Sequence, residues 1–189
     1  MPKYFDTNYH YLVPEFEPEA KYGVLSTKII DDFVEARDVH GINTRPVLVG
    51  PVSYVLLGKG RYEGYNPVDV LNKLLPVYVD LLERLYAAGA DGIQFDEPCL
   101  VCKDLTAEQL ALYEVVYGDV LPKVYRSFAP REAKATWANA NPANTNAFRV
   151  NVTTYFEFLD GAHLDVIQKL DIDALHVDLT RIEGKANVG

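Results

Sequence analysis

The stretch from Asn66 to Pro98 constrains the fold more than any other part of the chain. Asn66 can accept a hydrogen bond from an unpaired first-turn amide, and Pro67 presets the backbone angle of the first helical position. Leu71, Leu74, Leu75, Tyr78, Leu81, Leu82 and Leu85 then recur at i, i+3 and i+4, which gathers them on one helix face. Gly89 closes the run, and Pro76 inside it removes one backbone donor, so a kink near Asn72 or Lys73 is expected. Gly92-Ile93-Gln94-Phe95-Asp96 follows as a short strand of the buried type and runs straight into Glu97-Pro98. Upstream, Pro46-Val47-Leu48-Val49-Gly50-Pro51 reads as another short strand, apolar on both faces as parallel strands covered by helices must be. Two such strands joined by one long amphipathic helix call for a parallel sheet with crossover helices.

The rest of the chain repeats that alternation. Phe5 to Val13 mixes aromatic and β-branched residues with polar ones, which suits a strand and its departing loop. Thr27 is placed to cap a helix carrying Ile30, Phe33 and Val34, with Gly41 at its end. Thr106 and Gln109 have the spacing of a capping box, predicting a helix that continues to about Tyr125. Residues 129–147 turn to Ala, Asn and Pro without periodicity and read as a surface excursion inside a single domain spanning 1–189. Strands at Arg149–Tyr155 and Ala174–Leu179 flank a short helix carrying Leu164, Ile167 and Leu170. The expected fold is therefore α/β with about five parallel strand–helix units, and a closed or an open sheet fits this pattern equally. A complete eight-stranded barrel needs at least about 200 residues, so the expectation is an incomplete barrel with two exposed strand edges, which points to a piece of a larger protein.

Charge and cysteine usage narrow the function. A formal net charge of −9 argues against tracking a nucleic-acid backbone, which requires a basic face. No run of roughly 18 apolar residues and no secretory pattern at the amino terminus is present, so neither a membrane partner nor export is expected. Two cysteines, Cys99 and Cys102, are too few for a disulfide framework and suit a reducing, cytoplasmic setting. Their spacing is that of a redox pair or half a zinc site, but His10, His40, His163 and His176 are scattered, so two ordinary semi-buried cysteines is the plainer reading. Gly58-Lys59-Gly60 lacks the rest of a phosphate loop and reads as a mobile turn.

In parallel α/β folds ligands bind at the carboxyl ends of the strands. The polar residues expected there are Asn8 and His10, Ser53, Asp96 and Glu97, Glu157, and Asp178. Asp96-Glu97-Pro98 is the sharpest motif: adjacent carboxylates could bind a cation or divide acid and base roles. The plain alternative has Asp96 accepting loop amides and Glu97 solvated. Glu97 with Glu157 or Asp178 would also suit a glycosidase-like pair.

Four strings, in order, carry a resemblance: Lys3-Tyr4-Phe5-Asp6-Thr7-Asn8-Tyr9-His10-Tyr11 with Val13-Pro14-Glu15; Arg45-Pro46-Val47-Leu48-Val49-Gly50-Pro51-Val52-Ser53-Tyr54; Leu75-Pro76-Val77-Tyr78; and Gly92 to Pro98. Together they resemble the amino-terminal half of cobalamin-independent methionine synthase, with a looser match at Thr153-Thr154-Tyr155-Phe156 and Leu175-His176-Val177-Asp178-Leu179. The resemblance implies a parallel (β/α) barrel of the TIM type, here about five of its eight units. It also implies an enzyme that moves a methyl group from 5-methyltetrahydrofolate polyglutamate to homocysteine. Zinc, bound in the carboxy-terminal catalytic barrel, would activate the homocysteine thiol; its ligands, and the opening strands of the amino-terminal half, are expected to lie outside this chain. No metal and no catalytic residue is then expected within the segment. Lys3 occupies the position implicated in binding the folate polyglutamate tail, where a point charge suits carboxylates. Asn8, His10, Asp96 and Glu97 are further candidates for that site. Two other readings stand beside it: a self-standing binding or assembly module that uses its exposed strand edges, and a small carboxylate-dependent hydrolase.

Overall fold

A computed structural model describes residues 2–5, 7–128, 148–157 and 159–180. In chain order the elements are β1 (Glu15–Phe16), α1 (Lys28–Asp38), β2 (Val47–Val49), α2 (Pro51–Leu56), β3 (Lys59–Gly60), α3 (Pro67–Ala88) and β4 (Gly92–Asp96). A 3-10 turn at Pro98–Val101 leads to α4 (Ala107–Val115), a π turn (Val116–Val120), α5 (Leu121–Tyr125), β5 (Arg149–Thr153), α6 (Gly161–Ile167) and β6 (Ala174–His176). The excursion expected at 129–147 lies outside the described residues.

The main sheet has the order β2-β4-β5-β6 and every pairing is parallel. The alternation of strand and helix produces this result, because each crossover helix returns the chain to start the next strand in the same direction. The sheet is open: β2 and β6 are its edges, and among the described residues no closed barrel forms. A separate parallel pair, β1 with β3, joins Glu15 to Lys59 and Phe16 to Gly60. The expected turn at Gly58-Lys59-Gly60 therefore holds a short strand.

The helix signals of α3 and α4 act as predicted, whereas Thr27 at the start of α1 makes no capping bond, its hydroxyl donating to Asp31 at 2.7 Å, and α1 ends at Asp38, before Gly41. Asn66 accepts from the Val68 amide at 3.0 Å, and α3 runs through Pro76 to Gly89, whose φ of 104° is open to glycine. Val70, Leu71, Leu74, Leu75, Tyr78, Leu82 and Leu85 bury its inner face, each worth about 1.5–3 kcal/mol. Thr106 and Gln109 form the reciprocal capping box, at 3.2 and 2.9 Å. The helical path continues from there through the π turn to Tyr125. α3 is amphipathic rather than uniformly apolar, and among the described residues no helix is long and apolar enough to cross a membrane.

Strand register sorts the residues into two faces, because side chains alternate. Leu48, Ile93, Phe95, Val150, Val152 and Leu175 face the helices and join the core. On the opposite face the pairings align two rows, Val47-Gln94-Asn151-Ala174 and Val49-Asp96-Thr153-His176. Val47 and Val49 are 49% and 40% exposed, so β2 is covered on one face, not on both as its composition suggested.

Residues 5–13 also depart from expectation. Instead of a strand, the chain folds back: Lys3 and His10 form an isolated antiparallel bridge, and the Tyr4 amide donates to the Tyr9 carbonyl at 2.7 Å. Thr7 is the cause, since its hydroxyl donates to the Tyr4 carbonyl at 2.6 Å and accepts from the Tyr9 amide at 3.2 Å. Such local side-chain bonds offer the backbone a turn in place of a ladder.

Candidate functional site at the carboxyl ends of the strands

The end of β4 separates the two adjacent carboxylates. Asp96 lies on the polar face in line with Gln94, whose side-chain amide donates to it at 2.8 Å. Glu97, one residue further on, is fully buried. Its Oε1 accepts from the Val52 amide at 3.2 Å and the Tyr117 hydroxyl at 2.6 Å, and its Oε2 accepts from the Ser53 amide at 2.7 Å. Those two amides belong to the first turn of α2, which begins after Gly50, a residue with no side chain to cap it. A helix start needs acceptors for its free amides, and a carboxylate from the neighbouring strand supplies them. Gly50 is required at this point, because a Cβ there would lie 2.1 Å from Glu97 Oε1.

Burial raises the Glu97 carboxyl to about 7 although its bonds to Ser53, Tyr117 and Val52 pull the other way. Burial, and after it proximity to this carboxylate, drives the Tyr117 phenol well above its ordinary value. Ser53, itself buried, accepts from the Cys99 amide at 3.0 Å and ties the 3-10 turn to α2. The expected roles are thus reversed: Glu97 accepts the amides and Asp96 is the partly open carboxylate. An enclosed Glu97 with both oxygens occupied does not present itself to a substrate as a hydrolase carboxylate would. Glu157, its suggested partner, is paired with Lys103 at 3.1 Å on the surface. Asp178 accepts from the Phe156 and Thr180 amides at 3.1 and 2.8 Å and from the Thr180 hydroxyl at 2.6 Å. These bonds hold it below the ordinary carboxylate range and order the loop after β5.

The folded-back amino-terminal segment reaches this end of the sheet. Tyr4 and Tyr155 place their hydroxyls 3.0 Å apart, and Tyr11 donates to the Leu57 carbonyl at 3.0 Å. Tyr4 meets Phe5, Tyr11 and Phe156 edge-on, and Phe5 and Phe156 stand 5.3 Å apart. Phe5 and Phe156 have φ of 54° and 81°, a region costly for a side chain with a Cβ and concentrated at sites where the surroundings enforce it. Burial raises the phenols of Tyr4 and Tyr155, the latter strongly. Further along the polar face, the Asn151 amide, oriented to satisfy its neighbours, accepts from Arg45 Nη1 at 3.2 Å and from Thr153 Oγ1 at 3.0 Å, and donates to the Ala174 carbonyl at 3.2 Å.

Lys3, Asn8 and His10 come together on the exposed side of the same segment, with the Lys3 ammonium 3.4 Å from Asn8 Oδ1. The five candidates therefore fall in three places: Lys3, Asn8 and His10 on the outer loop, Asp96 on the polar face, and Glu97 sealed beneath α2. Sequence reasoning missed Tyr4 and Tyr155 as neighbours of the site. Period-two alternation from Asn151 through Thr153 to Tyr155 carried part of that signal. Among the described residues no group of three or more His, Cys, Asp or Glu side chains lies close enough to hold a metal ion. Cys99 and Cys102 are free thiols, so the residues present do not fit the zinc site that the resemblance attaches to the intact enzyme.

Comparison with known proteins supplies the family. A protein named 5-methyltetrahydropteroyltriglutamate–homocysteine methyltransferase from Parvibaculum lavamentivorans is 41% identical over 181 residues, covering 96% of this chain and 21% of its own length. Its namesake from Nitrobacter winogradskyi is 42% identical over 184 residues, with 96% and 20% covered. This chain thus spans about a fifth of the length of the curated relatives it matches. A solved B12-independent methionine synthase from a Shewanella species, in complex with selenomethionine, aligns with a TM-score of 0.47 at 15% identity, over 82% of this chain and 42% of that one. The family described as "Cobalamin-independent synthase, N-terminal domain" matches residues 1–188, and the chain belongs to that family.

Proposed function

We propose that this chain, as one partial barrel domain spanning 1–189, serves within a methyltransferase that carries a methyl group from 5-methyltetrahydrofolate polyglutamate to homocysteine. Its part is structural and tail-binding. The catalytic chemistry, the zinc and its ligands belong to a carboxy-terminal barrel outside these residues, and the intact enzyme works in the cytoplasm. The observation that carries the reading is the pairing of family membership over residues 1–188 with the exposed Lys3-Asn8-His10 edge beside the strand ends. A chain with net charge −9 repels a polyanionic tail, so recognition falls to local cations and donors of this kind.

Replacing the matching segment of a relative with this chain tests the assignment. The chimera is expected to methylate homocysteine, and the 189-residue chain alone to transfer no methyl group. A folded, substrate-binding chimera without activity, or activity in the isolated chain, would overturn the assignment.

A further inference from the structure

The turn after β4 holds two thiols that the folate reading does not use. Cys99 and Cys102 are the first and last members of one 3-10 turn, closed by the Cys102 amide donating to the Cys99 carbonyl at 3.0 Å. In a 3-10 helix, residues three apart eclipse one another. A rise of about 2 Å per residue sets their Cα atoms about 6 Å apart, inside the range a disulfide spans. The backbone of the turn is held on both sides: the Cys99 amide donates to Ser53 Oγ at 3.0 Å, and the Leu100 amide to the Glu97 carbonyl at 3.1 Å. The two sulfurs differ in access. Cys99 is 5% exposed, whereas Cys102 is half-buried, with its Sγ 3.9 Å from the Pro98 carbonyl.

We infer that Cys99 and Cys102 form a reversible dithiol–disulfide site in the folded chain, with Cys102 as the thiol that meets a low-molecular-weight disulfide and Cys99 as the buried thiol that resolves it. The electrostatics agree with that division. A hydrogen bond from Cys99 lowers the pKa of Cys102 against the opposing effects of burial, Glu157 and Asp104. The Cys102 contact and burial push Cys99 up.

The exchange balances in two steps. The Cys102 thiolate attacks one sulfur of the reagent disulfide, whose S–S bond breaks; a mixed disulfide forms and one reagent thiolate leaves. Cys99 then gives up its proton through solvent and attacks Cys102 Sγ, breaking the mixed disulfide and releasing the second reagent thiolate. The protein loses two electrons and two protons, and the reagent disulfide becomes two thiols. Because Cys99 is protonated and enclosed, the second step is the slower one.

The test uses the full reduced chain in glutathione disulfide buffers, quenched with an alkylating agent and read by intact mass, with near-ultraviolet circular dichroism reporting the folded state. The expected wild-type product loses both alkylatable thiols, keeps no glutathione, and regains both thiols on return to reduced glutathione. Cys99→Ser should stop at a stable glutathione adduct on Cys102. Cys102→Ser should react at least about tenfold more slowly than Cys99→Ser, since its remaining thiol is buried. Two free thiols persisting in the folded wild type, or oxidation confined to urea-unfolded chain, would overturn the site. Equal reaction rates in the two variants would overturn the division of roles, as would a lasting glutathione adduct in the wild type.

Discussion

Glu97→Gln keeps the shape of the side chain and removes its proton chemistry, which makes it the sharpest probe of the buried connection between β4 and α2. The carboxyl titrates near 7 in the folded chain against an ordinary 4.5. A raised folded value means that the native state holds its proton more tightly than the unfolded state does. The stabilisation is therefore complete below 4.5 and is lost as pH rises through about 7. At about 1.4 kcal/mol per pH unit, the whole window is worth about 3 kcal/mol, of which roughly 2 to 3 kcal/mol falls between pH 5 and pH 8. Glutamine does not titrate. With its oxygen toward the Ser53 amide, its nitrogen can donate to the Tyr117 hydroxyl, which turns to accept, but it faces the Val52 amide as donor against donor. That orphaned amide costs about 1–3 kcal/mol at any pH. Urea titrations of both proteins at pH 5 and pH 8 should therefore show the variant clearly less stable at pH 5, with the difference shrinking by about 2 to 3 kcal/mol at pH 8. Comparing the two proteins cancels the repulsion within a chain of net charge −9. A difference that stays constant to within about 0.5 kcal/mol would refute the argument, because Glu97 would then not change its charge in that window.

Other perturbations test separate parts of the fold. Gly50→Ala forces a methyl group against Glu97, 2.1 Å from its Oε1 in the present geometry, and should cost about 1–3 kcal/mol in urea unfolding; combined with Glu97→Ala, the penalty for the glycine change should largely disappear. Arg126→Met strips the guanidinium that donates to Asp173 at 3.0 Å and leaves a carboxylate that is 5% exposed. A loss of about 1.5–3 kcal/mol is expected, readable as a lower urea midpoint, since Asp173 keeps the Val150 amide at 2.7 Å but loses its charge-assisted bonds to the guanidinium. Thr106→Ala removes the acceptor of the Gln109 amide and should cost about 1 kcal/mol, with hydrogen exchange rising first at the start of α4.

Much of the scaffold could be read from residues alone where one local chemistry decides the outcome. Asn66-Pro67 and Gly89 bound α3 because they satisfy or relieve helix ends, and Thr106 with Gln109 does the same for α4. The parallel order of β2, β4, β5 and β6 followed from short apolar strands alternating with amphipathic helices. Residues 5–13 misled because β propensity describes fit to a pleated surface, while the Thr7 hydroxyl closed a turn first. Val47 and Val49 are exposed on the sheet face opposite the helices, and composition does not report which face of an edge strand another layer covers. The roles of Asp96 and Glu97 were reversed for a similar reason. Adjacent residues leave a strand on opposite faces, and the amides that capture Glu97 come from α2, about 45 residues earlier in the chain. Gly50-Pro51 was the available hint: a helix start without a capping side chain must find its acceptor elsewhere.

The proposed tail-binding role is tested most directly by Lys3→Ala in an intact enzyme bearing this segment, with dissociation constants measured for triglutamyl and monoglutamyl 5-methyltetrahydrofolate. An exposed ammonium–carboxylate pair contributes about 0.2–1 kcal/mol, so affinity for the triglutamyl form should fall by a factor of roughly 1.4 to 5. The monoglutamyl form and homocysteine should be nearly unaffected, and added salt should shrink the difference. Equal losses for the two folates, or no loss for either, would contradict the assignment of Lys3 to the tail.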